Sequence, residues 1–139
     1  MLEEHGRIKN YKDREVIFKE GDRGQEMFLV RSGKVKIERS SKEKPVTLAT
    51  LGIGEFFGEM ALFGDHMRSA TAQAVGDTEL SIVDKETFMS FIKDPVIWTV
   101  IERMSERIRE VDDKLEALIV QDDLRKDHIA SLLANRSTY

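Results

Sequence analysis

Residues 52–74 read GIGEFFGEMALFGDHMRSATAQA, and the fold turns on how this stretch is interpreted. Gly52, Gly54, Gly58 and Gly64 are interspersed with apolar residues, Glu55 and Glu59 lie early, and Arg68 precedes the alternating run Ser69-Ala70-Thr71-Ala72. Glycine lets the backbone turn sharply and approach a ligand closely. Residues 58–62 are expected to form a short helix whose free N–H groups and dipole face an anion. Arg68 would add a charge-assisted contact of the kind that suits phosphate. Glu59 cannot hold a phosphate, because both are negative, so its useful chemistry is to accept a hydrogen bond from a hydroxyl. A ligand offering a phosphate to an arginine and a hydroxyl to a nearby carboxylate is a ribose phosphate.

Outward from this stretch the pattern has period two. Residues 16–18, 27–30 and 34–38 are strand-like, and in Lys34-Val35-Lys36-Ile37-Glu38 charged and apolar residues alternate, as in a strand with one face in a core. Breaks at Gly21-Asp22-Arg23-Gly24 and Ser32-Gly33 read as tight turns between antiparallel strands. Further strands are expected at 46–51, 69–75 and 79–83, the last two separated by Gly76-Asp77. Many short strands at close spacing describe a mainly β fold with flanking helices, an antiparallel jelly-roll barrel. Residues 1–12 are expected to form a short amphipathic helix, with Leu2, Ile8 and Tyr11 as packing positions.

From Asp84 the period changes to 3.6. Asp84 is placed to cap a hinge helix over residues 85–92, and Asp94-Pro95 opens a second, long helix. That helix carries Ile97, Ile101, Met104, Ile108, Val111, Leu115 and Leu118 in alternating steps of four and three. So regular a seam predicts a coiled-coil partner, with Ile101, Ile108 and Leu115 at a and the others at d. Arg107 then falls at g and Asp112 at the following e, able to meet across a parallel homodimer formed through residues 97–118. The alternative is a stripe packed on the chain's own barrel. Each buried Ile or Leu would contribute about 1.5 to 3 kcal/mol in either arrangement. The boundaries expected are a barrel with N-terminal and hinge helices over 1–92, the dimerisation helix over 93–120, and a short helix and tail over 121–139.

Composition narrows the function classes. At 139 residues the chain can build one domain with a hydrophobic core and a short appendage. A net charge of −4 is not the basic balance of a chain devoted to nucleic acid. The absence of cysteine removes disulfides and thiolate chemistry, and His5, His66 and His128 are too dispersed for a metal site. The first residues lack the apolar region of a signal peptide, and no apolar run is long enough for a membrane span, so the expectation is a cytoplasmic protein without a membrane partner. The glycine spacing fits neither a dinucleotide loop nor a phosphate loop with its lysine. No nucleophile and base stand at recognisable spacing, so no enzyme is expected.

Phe57-Gly58-Glu59-Met60-Ala61-Leu62 followed by Arg68-Ser69-Ala70-Thr71-Ala72 resembles the phosphate-binding cassette of the cyclic nucleotide-binding domain family. That family includes catabolite activator type bacterial regulators and regulatory subunits of cAMP-dependent kinase. Residues 16–22, VIFKEGD, resemble its early hairpin, and residues 28–35, FLVRSGKV, its next turn. The resemblance spans roughly residues 10 to 118. It implies that Gly58, Met60 and Ala61 belong to the ligand-binding cassette, with backbone contacts from Gly58 and Ala61. It further implies that Glu59 holds the ribose 2′-hydroxyl, and that Arg68 and Ser69 hold the cyclic phosphate. Where many members have proline before the arginine, this chain has Met67. Serine at 69 accompanies cAMP in bacterial receptors of this type, so cAMP is the expected ligand and cGMP the alternative; no other cofactor or metal is implied. Arg107 resembles the long-helix arginine that approaches the pocket, and with Val111 and Asp112 it forms the candidate ligand cap or interchain contact.

The function implied is a regulatory module that couples cyclic nucleotide binding to helix rearrangement in a homodimer. Two alternatives stand beside it: a sensor fragment of a catabolite activator type transcription regulator without its helix-turn-helix DNA-binding domain, and a degenerate dimerisation module in which Glu59 and Arg68 merely pair with each other. No DNA binding is expected of residues 1–139.

Overall fold

The computed structural model describes residues 6–41, 44–63 and 67–125. Its strands are β1 (Arg7–Tyr11), β2 (Val16–Phe18), β3 (Glu26–Arg39), β4 (Val46–Leu51), β5 (Phe56–Phe57) and β6 (Thr71–Asp84). The two long ones, β3 and β6, run antiparallel from Glu26 opposite Asp84 to Glu38 opposite Thr71. The strand breaks expected at Ser32-Gly33 and Gly76-Asp77 are instead irregularities inside these two strands. The ladder shifts register between Val30 and Lys34, where Gly33 takes a φ of 80° against the Asp77 carbonyl and Thr78. Bulges and glycine bends of this kind re-aim a strand without ending it.

Past the bend each long strand changes its outer partner. On β6, residues 78–82 pair with β1, whereas Ala72 and Gln73 pair with β2. On β3, Phe28 and Leu29 pair with β5, whereas residues 35–39 pair with β4. The sheet therefore folds over on itself as an antiparallel β-barrel. One apolar cluster takes Phe28, Val30, Leu80 and Ile82 from one half and Val35, Ala72 and Ala74 from the other.

The N-terminal helix expected over 1–12 is not formed in its described part: residues 7–11 are strand β1. Gly6, Asn10 and Tyr11 are weak helix formers, and the edge of β6 offers a full ladder of backbone partners. Tyr11 closes the barrel from this strand, and Arg7 reaches Glu26 Oε2 at 2.7 Å.

Two helices follow β6. Asp84 caps α1 (Lys85–Met89) by accepting from Thr87 N at 2.7 Å, which holds its carboxyl below the usual range. This helix is shorter than the 85–92 expected, because Ser90, Phe91 and Ile92 close it with tightened turns onto the carbonyls of residues 86–89. Asp94 accepts from Val96 N at 2.9 Å and opens α2 (Pro95–Arg125). The break expected at 121 is absent: α2 continues through Arg125, since no glycine or proline interrupts it and Asp122 caps only where the backbone has already left the helix. The remainder of the short terminal helix lies outside the described residues.

One face of α2 docks and another does not. Trp98 and Ile101 pack on Met27, Leu62, Phe63 and Val83, and Ser105 is buried beside them. Ile97, Met104, Ile108, Val111 and Leu118 are all more than half exposed. The intramolecular alternative thus holds for Ile101 but not for those five residues of the seam.

Candidate functional site

The cassette begins where β5 hands Phe57 to the core and Gly58 turns left-handed, with φ 75° and ψ 10°. The helix expected at 58–62 is a single 3-10 turn over Glu59–Leu62. Ala61 N donates to Gly58 O at 3.3 Å and Phe63 N to Met60 O at 3.2 Å, the i to i+3 pattern of a turn too short to settle into α geometry. Leu62 is fully buried and Ala61 nearly so, which anchors the turn to the barrel.

A cavity of about 260 Å³ opens beside this turn. It is lined by Gly58, Glu59, Met60 and Ala61 of the cassette and by Arg68, Ser69 and Ala70. Ile37, Leu51 and Phe56 add apolar surface. All six cassette residues singled out from sequence thus meet around one space.

Among the described residues, Arg68 is the charged side chain that is buried, at 6% exposure. Its Nη1 donates to Gly58 O at 3.0 Å and its Nη2 to Glu26 O at 2.9 Å. Its guanidinium carbon lies 4.2 Å from the Phe18 ring centroid and 5.6 Å from that of Phe28, within cation–π range. Burial pulls the guanidinium below its ordinary value, while Glu26, Asp22 and Glu59 push it back up. The buried Nε has no hydrogen-bond partner. Among the described residues no direct ion pair joins Arg68 to Glu59, the contact that the degenerate alternative supposed, although Glu59 acts on the guanidinium through space. A buried cation met by dipoles and aromatic faces, with one of its nitrogens unpartnered, is electrostatically incomplete. Such imbalance is typical of sites that receive an anion.

Ser69 is exposed at the rim, and its carbonyl accepts from Arg39 Nε at 3.2 Å. Arg107 and Val111 are exposed on α2 and do not line the cavity, while Asp112 lies outside the residues whose side chains are described. The α2 arginine that reaches the cassette is Arg109, whose Nη2 donates to the carbonyls of Met60 and Phe63. Ser105 Oγ lies 3.7 Å from Met60 Sδ in the same seam. Sequence reasoning missed Arg109, although its spacing from Trp98, Ile101 and Ser105 marks a second stripe beside the heptad. It also missed Gly24 and Phe18, which touch Arg68 from a loop and a strand far from it in sequence.

Among the described residues, no group of acidic and histidine side chains is arranged to hold a metal ion, and no helix is long and apolar enough to cross a membrane.

Comparison with known proteins agrees with this geometry. Residues 8–94 match the cyclic nucleotide-binding domain, and the chain belongs to that family. It is 41% identical over 113 residues to the cyclic AMP receptor protein of Thermus thermophilus, an alignment covering 78% of this chain and 51% of that protein. It is 39% identical over 108 residues to the cGMP-dependent protein kinase of Toxoplasma gondii, covering 76% of this chain and 10% of the kinase. The chain thus spans about half of the first relative and a tenth of the second. Among solved structures, the Thermus thermophilus catabolite activator protein superposes with a TM-score of 0.66 at 38% identity, over 84% of this chain and 56% of that one. An EAL enzyme in its cAMP-bound form superposes with a TM-score of 0.65 at 32% identity, over 83% of this chain and 32% of that one.

Proposed function

We propose that this chain is a cAMP-binding regulatory module of the cytoplasm, non-catalytic, working as a homodimer through residues 97–118. In this reading Arg68 and Ser69 take the cyclic phosphate, Glu59 accepts the ribose 2′-hydroxyl, and Gly58, Met60 and Ala61 offer backbone and wall. The apolar surface from Ile37, Leu51 and Phe56 suits the faces of a purine or sugar. The observation that carries the reading is Arg68: a buried guanidinium with an unpartnered Nε, lining a cavity that Glu59 also lines.

Ligand binding alters function only through a difference in affinity between two arrangements of the molecule. Support for α2 as the responding element comes from Arg109, which joins that helix to the cassette through the Met60 and Phe63 carbonyls. Support for a homodimer comes from the five exposed apolar residues of the seam. Arg107, Val111 and Asp112 are then candidate contacts to the partner chain or its ligand.

Calorimetric titration with cAMP, cGMP and adenosine tests the ligand assignment. The expected result is saturable binding with cAMP tightest; absence of heat and of thermal stabilisation by either cyclic nucleotide at millimolar concentration overturns it and favours the degenerate module.

A second reading makes these residues the sensing part of a longer transcription regulator, favoured by a match that covers only half of the Thermus protein. Residues 1–139 alone are then expected to show no sequence-dependent gel shift, and the length of the reading frame decides between the two.

A further inference from the structure

Gly24 is a glycine that no turn requires. Its φ lies outside the left-handed region occupied by Gly21, Gly33, Gly54, Gly58 and Gly76, so an alanine would fit its backbone. The space in front of it is filled by a side chain instead. A Cβ on Gly24 would lie 2.5 Å from Arg68 Nη2, 2.8 Å from Nε and 2.9 Å from Cζ. Gly58 leaves the same freedom on another side, where a Cβ would lie 2.9 Å from Nη1. The guanidinium therefore sits in a slot between two glycines, with the Phe18 ring as a further wall.

The segment that carries Gly24 also grips the Arg68 backbone. Arg68 N donates to Asp22 O at 2.7 Å, Gly21 N donates to Arg68 O at 2.8 Å, and Arg23 forms an isolated bridge with Met67. Main chain and side chain of the arginine are thus located by one stretch, residues 21–24, in which the missing Cβ of Gly24 is the feature that admits the guanidinium.

We propose that Gly24 is a positioning residue for anion recognition: by lacking a side chain it lets Arg68 lie flat and buried at the cavity wall, in the orientation that a phosphate contact needs. This rests on the reading that Arg68 takes the cyclic phosphate. Guanidinium recognition of phosphate is directional, and a displacement near 1 Å is enough to lose it. A methyl group at position 24 shifts the far end of Arg68 more readily than it shifts backbone, so the barrel survives while the arginine moves.

The test compares wild type with Gly24→Ala in two ways. Without ligand, proton–nitrogen correlation spectra show the Arg68 Nε–H displaced by the ring current of Phe18, identified by its loss in Arg68→Ala. In Gly24→Ala that resonance moves to the range of exposed arginines while thermal unfolding stays cooperative. With ligand, Gly24→Ala binds cAMP about 10- to 100-fold more weakly, binds adenosine unchanged, and adds no further loss in the Arg68→Ala background. A ring-shifted resonance that persists in Gly24→Ala overturns the proposal, and so does an equal loss for adenosine or a further loss in the Arg68→Ala background. Failure of the wild type to bind cAMP overturns the ligand assignment, and the ligand-free spectra still decide whether Gly24 positions Arg68.

Discussion

Arg109 on α2 donates from Nη2 to the main-chain carbonyl of Met60, 49 residues earlier in the chain, and to that of Phe63 beside it. Both acceptors are carbonyls of the cassette turn and its end: Met60 O, which also accepts from Phe63 N, and Phe63 O just past the turn. A change in the turn is therefore felt directly by the helix. Arg109→Met keeps the aliphatic stem and removes the donors. We expect it to lower stability by about 1 to 3 kcal/mol, read by chemical denaturation, and to weaken the response of α2 to ligand. The chain has no cysteine, so one introduced at Ala117 accepts a single spin label. In wild type, cAMP should change the label-to-label distance across the dimer; in Arg109→Met the change should shrink. An undiminished response would show that Arg109 is a structural strut alone.

The open face of α2 makes a second prediction. Ile108 is 52% exposed and Val111 63%, so neither is needed to hold the barrel together. Ile108→Glu places a charge in the seam of each chain and removes apolar burial worth about 1.5 to 3 kcal/mol per side chain. Sedimentation should show a wild-type dimer and a monomeric variant, with the variant's barrel still cooperative on heating when both are compared as monomers. A wild type that sediments as a monomer at every concentration removes the dimer from the proposed function.

The parts of this fold legible in the sequence are those written in local chemistry. The alternation around Val35, the Asp84 and Asp94 caps, the glycine at position 58 and the nearness of Glu59 and Arg68 to one cavity are all short-range patterns. What escaped depends on contacts between distant segments. Residues 7–11 become a strand because β6 offers them an edge, not because of their own periodicity. Gly33 and Gly76 look like strand breaks in isolation, and act as bends only because β3 and β6 stay paired on both sides of them. The heptad was visible, but not the second stripe at Trp98, Ile101, Ser105 and Arg109, whose identity as the docking face depends on where the cassette stands.

Asp84 supports a pH prediction. Its carboxyl accepts from Thr87 N, which lowers its pKa in the folded protein below the unfolded value. A lowered folded pKa means that the cap's contribution is complete above the unfolded pKa, about 3.9, and is lost as the pH falls through the folded value. Asp84→Ala should therefore be less stable than wild type at neutral pH, and the gap should narrow below pH about 4. Asp84→Asn retains an N-cap acceptor without the titration, so its gap from wild type should be smaller than that of Asp84→Ala at neutral pH and should fall in acid by the same amount. A wild type to Asp84→Ala gap that is constant from neutral to acid pH removes the ionised cap as its cause.

Arg68 and Glu59 have been assigned different parts of one ligand, and substitution should separate them. Arg68→Ala deletes a charge-assisted contact and is expected to weaken cAMP by about 10- to 100-fold or more. Arg68→Lys should recover little, because a lysine head cannot reproduce the planar fork that bridges the Gly58 and Glu26 carbonyls. Glu59→Gln keeps an acceptor oxygen but removes the charge, so its loss for cAMP should be smaller than that of Arg68→Ala. The discriminating ligand is 2′-deoxy-cAMP, which keeps the phosphate and lacks the hydroxyl. Wild type should bind it more weakly than cAMP, Glu59→Ala should bind the two nearly alike, and Arg68→Ala should preserve the wild-type ratio between them. If Arg68→Ala erases that ratio while Glu59→Ala leaves it intact, the two roles are reversed and the ribose lies on the arginine side of the cavity.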